Sequence, residues 1–208
     1  MGTYSILVLA PAQSNWPSFT VVLAQLFGRS PYRDEAHTLY AAAVRQARQP
    51  AFYADCGVPD TVDGRFDLIV LHVSLALRGL KRAGEPGERF AKALVEVLVD
   101  DMDQNLREMG VGDLSVGKKV KVMVQALMGR SKAYDDALAE GAEPSALETA
   151  IQRNVFGRDT PTAPQLANLA RYARVADAAI AVQPTKEFWA GRLAFPPAPV
   201  PDPLQAGD

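Results

Sequence analysis

Between Arg65 and Arg82 the chain places Phe66, Ile69, Val70, Val73, Leu77 and Leu80 at the spacing of one helical stripe. Leu68, Leu71 and Leu75 populate the other side of the same helix. A helix that is apolar nearly all round has no face to offer to water, so it needs other helices around it. This segment therefore belongs in the centre of a helical bundle, and the rest of the chain should supply its neighbours.

The remaining sequence reads as those neighbours. Pro17 followed by Phe19, Val22, Leu23, Leu26 and Phe27 predicts a first helix, stopped by Gly28 and Pro31. Asp34 is a plausible N-cap for a helix from Glu35 to about Gln49, closed by Pro50. Gly57, Pro59 and Gly64 then crowd a tight connection in which Asp60 or Thr61 can cap the central helix. Gly84, Pro86 and Gly87 make a turn before a helix over Glu88–Met109 with Phe90, Leu94, Leu98, Met102 and Leu106 as its buried stripe. Gly110 and Gly112 stop that helix, and Asp113 or Ser115 is expected to cap the next, Val116 to about Leu138. Further helices are expected over Ser145–Asn154 and Ala163–Val182, with a short one after Pro184. No segment alternates with a two-residue period. The expected fold is all-α, one domain, an irregular bundle of about six to eight helices. Residues 1–33 form a lead-in with the first helix, 34–195 the helical domain, and 196–208 a proline-rich flexible tail.

Composition narrows the function classes. With 22 basic and 24 acidic residues the net charge is −2, so no global field draws the chain to nucleic acid. Cys56 is the only cysteine, which excludes an intrachain disulfide and a Cys-based zinc site. The runs Tyr4–Ala10 and Leu68–Leu77 are too short to span a bilayer, and the first lacks the basic start of a secretory signal. A cytoplasmic chain, with room for peripheral contact at the cytoplasmic face of the plasma membrane, is the simplest reading. Gly110-Val111-Gly112 and Gly117 follow no strand and lack the spacing of a phosphate loop. No cofactor, no metal and no catalytic residue is expected.

Several residues invite a functional reading beside a structural one. Asp100, Asp101 and Asp103 form an acidic cluster; Asp100 and Asp103 share a helix face, and Asp103 with Arg107 makes an i,i+4 ion pair. Lys118, Lys119 and Lys121 open a helix where cations oppose the macrodipole, an unfavourable placement that an acidic partner or anionic lipid surface would explain. The segment from Phe52 and Tyr53 to Arg65 reads equally as an elaborate start to the central helix or as a rigid loop presenting carboxylates and Arg65. His72, on the most apolar helix, is expected to be a hydrogen-bonded core residue, His37 a surface one, and Cys56 a small buried side chain. An enzyme reading would need Asp60, Asp63, Asp100 and Asp103 to converge on one carboxylate or metal site.

Two blocks carry a resemblance. The first is Gln46–Pro50 with Phe52-Tyr53, then Gly57–Asp67 and Leu71-His72. The second is Asp100–Lys119, followed by Gly129-Arg130, Ala133-Tyr134 and Ala137-Leu138. Together they resemble the ubiquinol–cytochrome c chaperone family over roughly Leu39–Leu138, and the chain looks like a bacterial member. The resemblance implies an all-helical assembly factor, not an enzyme, that helps cytochrome b enter ubiquinol–cytochrome c oxidoreductase. A second assembly factor or the ribosome is the further partner open to such a chain. On this reading the partner-binding residues are Tyr53, Asp60, Asp63, Arg65, Asp101, Asp103, Arg107, Glu108, Asp113, Lys118, Lys119, Arg130 and Tyr134. One departure stands out: Leu127-Met128 occupies the place where the family usually has an aromatic pair.

Overall fold

The computed structural model describes residues 31–199. Its helices are α1 (Arg33–Ala47), α2 (Pro50–Ala54), α3 (Val62–Lys81), α4 (Glu85–Glu108), α5 (Asp113–Ala137), α6 (Ala146–Ile151), α7 (Ala163–Ala181) and α8 (Thr185–Trp189). Between α6 and α7 the chain continues through one π-helical turn, Gln152–Phe156. Among the described residues there is no strand, and the class is the all-α bundle expected. The helix predicted before Gly28 lies outside the described residues.

The centre of the bundle is α3. Every residue from Val70 to Leu77 is buried, and α3 touches α1, α4, α5, α7 and the π turn. Its all-round apolar surface is thus answered by helices on every side, as the hydrophobic effect demands. Gly79 lets α7 come close, since a Cβ there would lie 2.4 Å from Ile180 Cγ2. Ser74 hydrogen-bonds Ser131 at 2.7 Å and Arg78 donates to the Asp135 carbonyl at 3.1 Å. Both partners advance by four residues, so α3 and α5 run in the same direction. Beneath this end a charged cluster ties three helices together: Arg78 and Arg82 reach Asp177, while Arg78 and Lys81 reach Asp135.

The helix ends depart from expectation in instructive ways. Asp34 does not cap α1; the N-cap position is Tyr32 and Asp34 sits in the first turn, where its charge meets the positive end of the macrodipole. Pro50 follows an extended Gln49 that ends α1 as expected, and it also has a second role. It opens α2 at a first-turn position, where a missing N–H costs no hydrogen bond. For the same reason Pro86 lies inside the first turn of α4 with Gly87, and the connection is Arg82, Ala83 and Gly84, with only Gly84 of the expected turn residues in it. Neither Asp113 nor Ser115 caps α5, whose N-cap is Gly112. Thr61 does cap α3, accepting from Gly64 N at 3.1 Å, and Thr162 with Gln165 forms a reciprocal capping box on α7.

His72 is a core residue as expected. It is fully buried, and its Nδ1 lies 2.8 Å from Leu68 O, which can only accept. Nδ1 therefore carries the proton, and Nε2 accepts from the Tyr172 hydroxyl at 2.9 Å. That hydroxyl accepts in turn from Gln46 Nε2 at 3.0 Å. Phe52 packs edge-on to both rings, at 5.3 and 4.8 Å between centroids. Burial holds the imidazole neutral, lowering its pKa to about 4. Cys56 is buried, and burial pushes its thiol up to about 12, so it carries no thiolate at neutral pH. His37 is exposed.

Candidate functional site

A cleft of about 250 Å³ opens where the N-terminus of α3 meets α5 and the π turn. Its walls include Pro59, Thr61, Asp63 and Asp67 from one side, Arg130 from α5, and Arg153 to Gly157 with Asp159 from the third. The sequence builds each wall locally. At Gly64 the backbone passes so close to the preceding loop that a Cβ would lie 2.1 Å from Pro59 O. Only glycine lets the loop fold over the first turn and stand as the cleft's edge. The π turn closes on a hydrogen bond from Gly157 N to Gln152 O at 2.9 Å, which reaches five residues back. Such turns hold one residue more than an α turn and so redirect the side chains around them.

Charge in the cleft is unevenly settled. Arg130 pairs with Asp67 at 2.5 Å. Burial nonetheless raises the Asp67 carboxyl to about 6, with Asp63 one turn away pushing the same way and Arg130 pulling back. Asp63 and Asp67 are an i,i+4 pair of like charge on α3, a locally unfavourable arrangement. The Tyr134 hydroxyl on α5 is fully buried and has no hydrogen-bond partner, and the same holds for Nδ2 of Asn154, which lines the cleft. The two groups lie near each other, close enough for Asn154 to favour the phenolate, yet outside hydrogen-bond geometry. Burial dominates and the phenol's pKa is raised.

Of the residues the sequence singled out, the structure brings Asp63 and Arg130 to this place; Tyr134, one turn from Arg130 on α5, is buried in the core and does not line the cleft. The others lie elsewhere. Arg65 pairs with Asp60 at 2.6 Å, which holds the carboxyl below its usual range, and its guanidinium stands 6.0 Å from the centroid of the Tyr53 ring. Tyr53 donates to Ala47 O at 2.9 Å. Asp101 accepts from Tyr40 at 2.7 Å, and Gln104 donates to Glu108 at 2.8 Å. Arg107 clasps Asp103 and Asp113 at 2.5 Å each, joining the end of α4 to the start of α5. Lys118 and Lys119 are exposed, and Met109 nearby is 62% exposed. Leu127 is fully buried and Met128 packs against the core, so the departure from an aromatic pair is absorbed inside the bundle.

The four carboxylates of the enzyme reading do not converge. Asp60, Asp100 and Asp103 are tied to Arg65, Arg33 and Arg107 respectively, and only Asp63 reaches the cleft. Among the described residues no group of three or more His, Cys, Asp or Glu is placed to hold a metal ion. Sequence reasoning gave no role to Asp67, Arg153, Asn154 and Asp159. The like-charge spacing of Asp63 and Asp67 was the available signal.

Comparison with known proteins gives this architecture its context. A family model described as ubiquinol–cytochrome C chaperone matches residues 54–195. Ubiquinol-cytochrome c reductase complex assembly factor 1 of Mus musculus is 26% identical over 136 residues, 65% of this chain and 45% of that protein. Its Xenopus laevis counterpart is 23% identical over 136 residues, 65% of this chain and 67% of that protein. The chain thus spans about half the length of the mouse relative. A crystal structure of the Cbp3 homolog from Brucella abortus superposes with a TM-score of 0.71 at 30% identity, covering 85% of this chain and 97% of that one. The matched segment runs from the last residue of α2 through α8 and takes in every wall of the cleft, and the chain belongs to the ubiquinol–cytochrome c chaperone family.

Proposed function

We propose that the chain is a non-catalytic assembly chaperone that binds cytochrome b, or another apolar membrane subunit, while ubiquinol–cytochrome c oxidoreductase is being built. The observation that carries this reading is the family match over 54–195, which encloses the cleft. The relatives are named as assembly factors of the same reductase complex. Among the described residues no helix is long and apolar enough to cross a membrane, which suits a factor that meets its client from the cytoplasmic face, beside a second assembly factor or the ribosome. The client surface is read as the Tyr53–Arg65 segment with Asp60 and Asp63, the α4–α5 junction with Asp101, Asp103, Arg107, Glu108, Asp113, Lys118 and Lys119, and Arg130 above Tyr134. Deleting the gene should lower both cytochrome b absorbance and quinol–cytochrome c reductase activity of isolated membranes, with recovery on restoring the intact gene. Unchanged levels of both would sink the reading.

A further inference from the structure

We propose that the cleft between α3, α5 and the π turn is a pocket for a basic side chain, arginine before lysine, on a client polypeptide. The inference rests on the reading of the chain as a binder of a membrane-protein client. Three carboxylates, Asp63, Asp67 and Asp159, face two guanidinium groups, Arg130 and Arg153, which leaves one negative charge in excess. Asp67 and Arg130 already satisfy each other, whereas Asp63 and Asp159 are exposed and have no ion pair among the described residues. A cation seated between Asp63 and Asp67 relieves the like-charge pair on α3.

The Asn154 side chain also lines the cleft and is 8% exposed, and its amide oxygen adds a neutral acceptor to the carboxylates. A guanidinium, with five donors in a planar fork, matches an acceptor-lined pocket better than any neutral side chain. A volume of about 250 Å³ accommodates one long side chain with its adjoining backbone and is below the usual range of cofactor sites. Arg153 stands on the exposed rim, where its long side chain can turn to solvent. Membrane proteins display an excess of Lys and Arg in the loops on their cytoplasmic side, so clients on that face present the matching chemistry.

The test uses the full chain and short fluorescein-labelled Gly/Ser peptides with arginine, citrulline or glutamate at the centre, titrated by anisotropy. Citrulline keeps the shape of arginine and removes its charge. The arginine peptide should bind about tenfold tighter than the citrulline peptide. Asp159→Lys, in an exposed segment, should abolish that preference while leaving thermal unfolding unchanged, and Asp63→Asn should reduce it. Equal binding of arginine and citrulline peptides, or tighter binding of the glutamate peptide, overturns the proposal. The gene-deletion phenotype separates the two readings. Loss of cytochrome b together with an arginine-indifferent cleft sinks the pocket alone, and an arginine-selective cleft with normal cytochrome b sinks only the assembly role.

Discussion

Two buried polar clusters sit at opposite degrees of completion. Around His72 every group has its partner: Leu68 O, the Tyr172 hydroxyl and Gln46 form an unbroken chain of donors and acceptors, walled by Phe52. Beside the cleft, the Tyr134 hydroxyl and the Nδ2 of Asn154, which lines it, are also buried and have no partner. Folding tolerates a buried polar group readily when it is satisfied and at a cost of about 1–3 kcal/mol when it is not. The first cluster is therefore explained by stability. The second holds stability back, and it lies beside the cleft that Asn154 lines.

The comparison breaks most visibly at Phe52. Truncation to alanine should cost about 3–5 kcal/mol in urea unfolding, because it empties the wall of a rigid, fully bonded cluster. A loss below about 1 kcal/mol would mean that the cluster collapses freely and is no stable reference for the cleft.

Next in size is the response to acid, where the two regions should move in opposite directions. His72 titrates near pH 4 when folded against an ordinary value of 6.5, so the unfolded chain takes up the proton first. Its contribution is complete above pH 6.5 and is lost as pH falls toward 4, by roughly 3 kcal/mol at the acid end. Asp67 is held near 6 against an ordinary 3.8, so the folded state keeps its proton longer and stability falls as pH rises from about 4 to 6. Stability curves of His72→Leu and Asp67→Asn from pH 4 to 7 should each lose one of these slopes. A wild-type slope unchanged in both variants would show that other groups set the acid response.

The finest test is a pair of single-atom deletions. Tyr172→Phe removes a hydroxyl that serves both His72 and Gln46 and should cost about 1 kcal/mol. Tyr134→Phe removes one that serves nothing and should be neutral or slightly stabilising. Equal losses in the two variants would erase the distinction between the clusters.

The same contrast divides the features that are legible in the sequence from those that are not. The place of α3 is legible because its apolar residues declare the environment they need, and Thr61 is legible as a cap because a cap acts within three residues. Pro50 and Pro86 are legible only in part because a proline can end one helix, begin the next or do both, and only the backbone on either side decides. The cleft was mostly illegible. Asp67, Arg130 and Asn154 are brought together from three elements far apart in the chain, and no local pattern records that meeting. Asp63 announced half of it through its repulsive spacing with Asp67. Arg130 and Tyr134, one turn apart on α5, came forward by resemblance and not by any property of their own segment. The convergence of Asp60, Asp100 and Asp103 was suggested by composition, and their separate arginines undo it.

The turn at Gln152–Phe156 has a consequence for heredity. It is an α turn that has accepted one residue too many, so its state is a matter of chain length and not of side-chain identity. Losing one codon there would restore ordinary winding and change which side chains of the turn face the opening, Asn154 among them. Among descendants of a common ancestor, that one-residue difference in length would mark which lineages kept the opening and which closed it, while the surrounding helices stayed recognisably alike.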